Sequence, residues 1–150
     1  MHTLATADDA VARAAGRDVD LALRDDGPFF DLDPVSLLFD TWLRAGERLV
    51  GRALEPLRYR PNMYVRAAPD FSADEAGLVG CILAIGGVRL QVTQPTRRCV
   101  TPTYDLATGA SDPRILSVIA RERQNTMGIY ARVVRPGRAG VGDAVVFGTA

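Results

Sequence analysis

Leu78-Val79-Gly80-Cys81-Ile82-Leu83-Ala84-Ile85-Gly86-Gly87-Val88-Arg89-Leu90-Gln91-Val92 is the stretch that decides the fold. Two apolar runs, 78–85 and 88–92, flank Gly86-Gly87, and a glycine pair between such runs signals a β-hairpin. Cys81 lies among Val79, Ile82 and Leu83 and reads as a core residue.

The hairpin delivers the chain to Gln94-Pro95-Thr96-Arg97-Arg98-Cys99-Val100-Thr101-Pro102-Thr103. Arginines directly before a cysteine raise the local positive potential and favour thiolate over thiol. Alternation along an extended segment puts Arg97 and Cys99 on one face and Arg98 on the other. Pro95 and Pro102 restrict the segment, which suits a strand end or loop. The pattern alone leaves two readings of Cys99 open: a small buried apolar residue, or an activated sulfur that attacks, ligates a metal or carries a persulfide.

Working outward, Tyr59, Met63 and Val65 outline a strand interrupted by Pro61, which places it at a sheet edge or beside a bulge. Asp112-Pro113 opens a helix with Ile115, Leu116 and Ile119 on its buried side. Residues 128–134 and 143–147 alternate as strands around the turn Arg135-Pro136-Gly137. Asp33-Pro34 reads as a helix start, with Val35, Leu38 and Trp42 as its apolar stripe beside Phe39 and Leu43, a run to about Ala45 and Gly46 as its stop. Trp42 reads as core, and Asp105 and Asp143 as structural residues. Before these, residues 1–16 read as a short helix, 18–23 as a strand and 24–28 as a turn.

Composition narrows the function classes. At 150 residues the chain reads as one domain, able to bury about two-thirds of its unfolded surface. Eighteen basic residues balance eighteen acidic ones, so there is no general footprint for nucleic acid, and no apolar run spans a bilayer. With two cysteines and no secretory leader, a reducing cytoplasm is the expected setting. All the basic residues are arginine, which rules out Schiff-base chemistry through a lysine side chain. One histidine, His2, and two separated cysteines do not supply a zinc ligand set or a cysteine-histidine dyad.

Leu57-Arg58-Tyr59-Arg60-Pro61-Asn62, Pro95-Thr96-Arg97-Arg98-Cys99, Gly128-Ile129-Tyr130-Ala131 and Pro136-Gly137 with Gly142-Asp143 occur in the order and spacing of the MOSC family, which the chain resembles over about residues 29–147. These are the C-terminal domains of molybdenum-cofactor sulfurases and their relatives, including amidoxime-reducing enzymes. The resemblance implies a mainly β fold with short helices (α+β), a MOSC-type mixed β-barrel. Residues 29–150 would form that domain, and 1–28 would be a remnant helix and strand of an absent N-terminal domain. It implies Cys99 and Arg98 as catalytic residues, with Arg60, Asn62, Arg97 and Thr96 as cofactor contacts.

Three functions follow from it. In one, Cys99 carries sulfur as a persulfide, or attacks a small anionic substrate, and a sulfur-donor protein is its partner. In the second, Cys99 is the thiolate ligand of a molybdenum cofactor in an oxidoreductase of the amidoxime-reducing type; otherwise no cofactor is expected. In the third, the chain is a non-catalytic binding module that uses Trp42 and residues 59–64. The chain departs from the family at Leu37-Leu38-Phe39-Asp40-Thr41-Trp42, where relatives tend to carry small hydroxyl residues that hold the cofactor. Phe39 and Trp42 cannot replace a hydroxyl there, and Asp40 repels phosphate. No nucleic-acid or membrane partner is expected, and a chain this short invites a homodimer that covers exposed sheet.

Overall fold

The computed structural model describes residues 33–148. The expected helix at 1–16, strand at 18–23 and turn at 24–28 lie outside the described residues. Six strands form one mixed sheet: β1 (Val35–Phe39), β2 (Met63–Val65), β3 (Ile82–Ile85), β4 (Val88–Arg97), β5 (Thr126–Arg135) and β6 (Val145–Gly148). Their order is β2-β1-β5-β4-β3-β6, with β1 and β2 parallel and the remaining neighbours antiparallel. The sheet curls into a half-barrel, and Phe39 of β1 stacks against Phe147 of β6 at 6.4 Å between ring centres. Two helices, α1 (Asp40–Val50) and α2 (Pro113–Glu122), complete a fold that is mainly β with short helices.

The hairpin forms where the sequence places it, with Ile85 opposite Val88 across Gly86-Gly87. Its second strand continues past Val92 to Arg97, and Val88, Leu90, Val92 and Thr96 all turn inward. Leu83, Leu90, Ile115, Ile119, Met127 and Ile129 are fully enclosed. Each contributes about 1.5–3 kcal/mol relative to an exposed side chain. β2 is an edge strand that begins only after Pro61, which lacks the ladder donor, and Tyr59, expected in this strand, instead ends the helical turn Pro56–Tyr59.

Two further expectations change. Residues 35–39 form strand β1, not the first turns of a helix. A run of Leu37, Leu38 and Phe39 that is buried throughout satisfies a helical stripe and an interior strand equally well, and hydrogen bonding to β2 on one side and β5 on the other decides for the strand. Asp33 therefore caps nothing: its Oδ2 accepts from Thr93 Oγ1 at 2.7 Å. α1 starts at Asp40 and runs through Gly46 to end at the left-handed Gly51, whose N–H donates to Glu47 O at 2.8 Å. Gly46 is a contact rather than a stop, since a Cβ there would stand 2.7 Å from Met127 Cε.

The second change concerns β6, which pairs with β3 and not with β5. After Pro136 the chain crosses the tip of the first hairpin, where Gly87 N donates to Arg138 O at 2.9 Å, and Asp143 Oδ2 closes the crossing loop by accepting from Gly140 N at 2.8 Å. α2 matches its sequence signal: Asp112 Oδ1 accepts from Arg114 N at 3.2 Å, and Ile115 and Ile119, one turn apart, are buried.

Candidate functional site

The alternation of β4 carries past its last residue. Thr96 points into the core, Arg97 outward, Arg98 inward and Cys99 outward. Cys99 is a free, exposed thiol, and its Sγ lies 3.2 Å from Thr101 Oγ1. Its pKa is lowered from that of an ordinary cysteine. The hydroxyl of Thr101 is the largest cause, then the Thr101 backbone amide, with the charge of Arg98 a lesser contribution. The effect expected of the arginines comes mostly from hydrogen bonds to the charged sulfur.

Arg98 turns back into the protein. Its Nε donates to Met127 O at 2.7 Å, Nη2 donates to the same oxygen, and Nη1 donates to Tyr59 O at 3.0 Å. The guanidinium lies 5.3 Å from the centre of the Tyr59 ring, and its own backbone N–H donates to Asn125 O at 2.9 Å. Burial is the main influence that lowers its pKa. Three donors on backbone carbonyls make Arg98 an anchor for the end of β4.

The bond to the Tyr59 carbonyl brings Arg60-Pro61-Asn62 beside the end of β4. Arg60 is exposed, with φ 50, at the end of the short helix Pro56–Tyr59. Asn62 ties β1 to β2: its Oδ1 accepts from Ser36 N at 2.8 Å and Ser36 Oγ at 2.9 Å. Thr96 is buried, and its hydroxyl has no hydrogen-bond partner among the described residues. Arg97 is exposed beside Cys99.

Three side chains outside the expected site set build this region. Arg58 is buried and binds Glu55, Tyr104 O at 2.6 Å and Asp105 Oδ2 at 2.6 Å, locking the Pro56–Tyr59 turn to the loop after Cys99. Tyr59 is buried under Arg98, and burial pushes its phenol up to about 12. Glu75 is buried in the connection between β2 and β3 and pairs with Arg123 at 2.5 Å. Only Arg58 carried a usable signal, an arginine within the quoted 57–62 motif. Asp40, read as a phosphate repellent, accepts instead from Arg44 Nη2 at 2.8 Å and Ala67 N at 2.9 Å.

A family model described as the MOSC domain matches residues 31–146. The chain belongs to the MOSC family. Among solved structures, this MOSC chain resembles the YuaD protein from Bacillus subtilis, with 21% identity over 78% of the chain and a TM-score of 0.60. It also resembles YiiM from Geobacillus stearothermophilus, with 17% identity over 77% of the chain and a TM-score of 0.54. The alignments span 64% of the YuaD chain and 54% of the YiiM chain. No curated protein matches.

Within this MOSC domain a cavity of about 650 Å³ opens where the sheet fails to close, lined by Phe39, Phe71, Phe147, Val65 and Leu78 among others. None of the expected site residues lines it. Trp42 is buried, with Nε1 donating to Ala73 O at 2.9 Å, and Tyr59 is buried too, so the exposed patch of Trp42 with residues 59–64 does not form. No helix among the described residues is long and apolar enough to cross a membrane.

Proposed function

We propose that this MOSC protein carries sulfur on Cys99. The observation that supports the reading is an exposed thiol whose anionic form is favoured by the Thr101 hydroxyl and amide. In the transfer, the Cys99 thiolate attacks the outer sulfur of a donor persulfide. The donor's sulfur–sulfur bond breaks, the donor leaves as a thiolate and Cys99 holds the new persulfide. A thiol whose anionic form is favoured relies less on a histidine base, and the chain has one histidine, His2. Arg97 and Arg60 are exposed cations suited to an anionic donor or acceptor, while Arg98 holds the backbone in place. The partners on this reading are a sulfur-donor protein and a small acceptor.

Loading with inorganic polysulfide and release by cyanide tests it. Wild-type protein should return thiocyanate, and Cys99→Ser should return none while keeping its circular dichroism spectrum. A serine variant that still returns thiocyanate contradicts the proposal.

The donor set favours a second reading. A molybdenum cofactor would be held by Cys99 as a soft thiolate ligand, with Arg60 and Arg97 toward its phosphate, and bound there it would supply two-electron redox chemistry at the metal. Asp40, occupied by Arg44 and Ala67 N, no longer stands as a free charge against phosphate. Elemental analysis of protein from a cofactor-competent host separates the two. Near-stoichiometric molybdenum that is absent from Cys99→Ala supports the metal reading, and its absence from both proteins rejects it.

A further inference from the structure

A single peptide group joins Arg98 to a carboxylate that the sequence did not single out. The Met127 carbonyl accepts Arg98 Nε at 2.7 Å together with Nη2. At the other end of the same peptide, Gly128 N donates to Glu75 Oε1 at 3.3 Å. That oxygen also accepts Arg123 Nη2 at 2.5 Å, so the buried carboxylate is compensated. A cation on the carbonyl and an anion on the amide both act along the peptide dipole, and in a low-dielectric interior each hydrogen bond strengthens the other. Rotating this peptide breaks one set or the other. The arrangement requires glycine, because φ is +98 and a Cβ would stand 2.7 Å from Leu37 O and 3.0 Å from Arg98 Nη2.

We propose that Glu75 is a positioning residue for Cys99, acting through the Met127–Gly128 peptide and Arg98. The proposal rests on Cys99 being the reactive group. Glu75 holds the amide, the amide aims its carbonyl at Arg98, and Arg98 fixes the backbone that sets Cys99 against Thr101. Glu75 reaches this peptide from the segment between β2 and β3, far from Cys99 in sequence, so a loop distant in the chain tunes the thiol.

The test is the rate of iodoacetamide alkylation at the Cys99 peptide, followed by mass spectrometry on the full chain at fixed pH. Wild type, Glu75→Gln, Arg98→Lys and the double variant are compared. Glu75→Gln keeps the shape and an acceptor but removes the charge, and the Cys99 rate should fall about 3- to 10-fold while the Cys81 rate stays unchanged. The double variant should match Arg98→Lys alone, since both act on one path. Additive effects, or a Glu75→Gln variant with a lower melting temperature and an unchanged Cys99 rate, overturn the proposal. Where Glu75→Gln does not fold, amide exchange in Arg98→Lys decides. Exchange at Gly128 should speed up as the peptide is released, and unchanged exchange overturns the proposal. Failure of the reactive-thiol reading itself shows separately, as a wild-type Cys99 rate no faster than that of Cys81.

Discussion

At Cys99 the Thr101 hydroxyl is the largest of several influences that favour the charged sulfur and lower the thiol pKa, ahead of the backbone amide and of Arg98. Thr101→Val should therefore raise that pKa, which an ultraviolet thiolate titration reads directly; an unmoved titration would assign the effect to the backbone amides and Arg98. The sequence showed the cysteine and its cationic neighbours, because a strand's alternation is local. It did not show Thr101 as the partner, since that contact depends on the turn Thr101–Thr103 that follows β4. Tyr59 and Glu75 were illegible for a similar reason: each is defined by what it meets across the fold, not by its neighbours in the chain.

Among the elements, β4 and β5 carry the site, and Gly128 of β5 lies close against the backbone of β1. A methyl group there meets the backbone oxygen of Leu37 in a conformation that L-residues avoid. Gly128→Ala should cost about 2–3 kcal/mol in chemical denaturation and slow the Cys99 reaction with it. A variant as stable as wild type would show that β1 can move away. The Pro56–Tyr59 turn gives a contrasting case. Removing Arg58 strands Glu55 and Asp105, but their side chains are 53% and 34% exposed and water can take over. Arg58→Met should thus cost about 1–3 kcal/mol, less than the 3–5 expected when a fully buried charge loses its partner. Period-two alternation made the hairpin and the end of β4 legible. It failed for β1 because a strand buried on both faces has no alternation to read, and it located β6 but not its partner, because β3 lies far back in the sequence.

Across the molecule, acid sensitivity should concentrate in the loop that follows the site. Asp105 is lowered from 3.8 to about 2, first by the Thr108 backbone amide, then by the Thr108 hydroxyl and the Ala107 amide, with Arg58 contributing less. A carboxyl whose folded pKa is depressed stabilises the fold above its unfolded value and loses that contribution as pH falls toward the folded one. Stability should accordingly drop between about pH 4 and pH 2, and Asp105→Asn should flatten that limb of the melting-temperature profile. A profile of unchanged slope in the variant would assign the loss to other groups. The six-stranded half-barrel presents Cys99 outside its packed interior and keeps Cys81 half-buried against the core. That contrast permits the most direct measurement: exposure of the whole protein to inorganic polysulfide, followed by peptide mass spectrometry that locates added sulfur. The account predicts one additional sulfur atom on the Cys99 peptide and none on the Cys81 peptide. Equal loading of both, or loading of Cys81 alone, would contradict it.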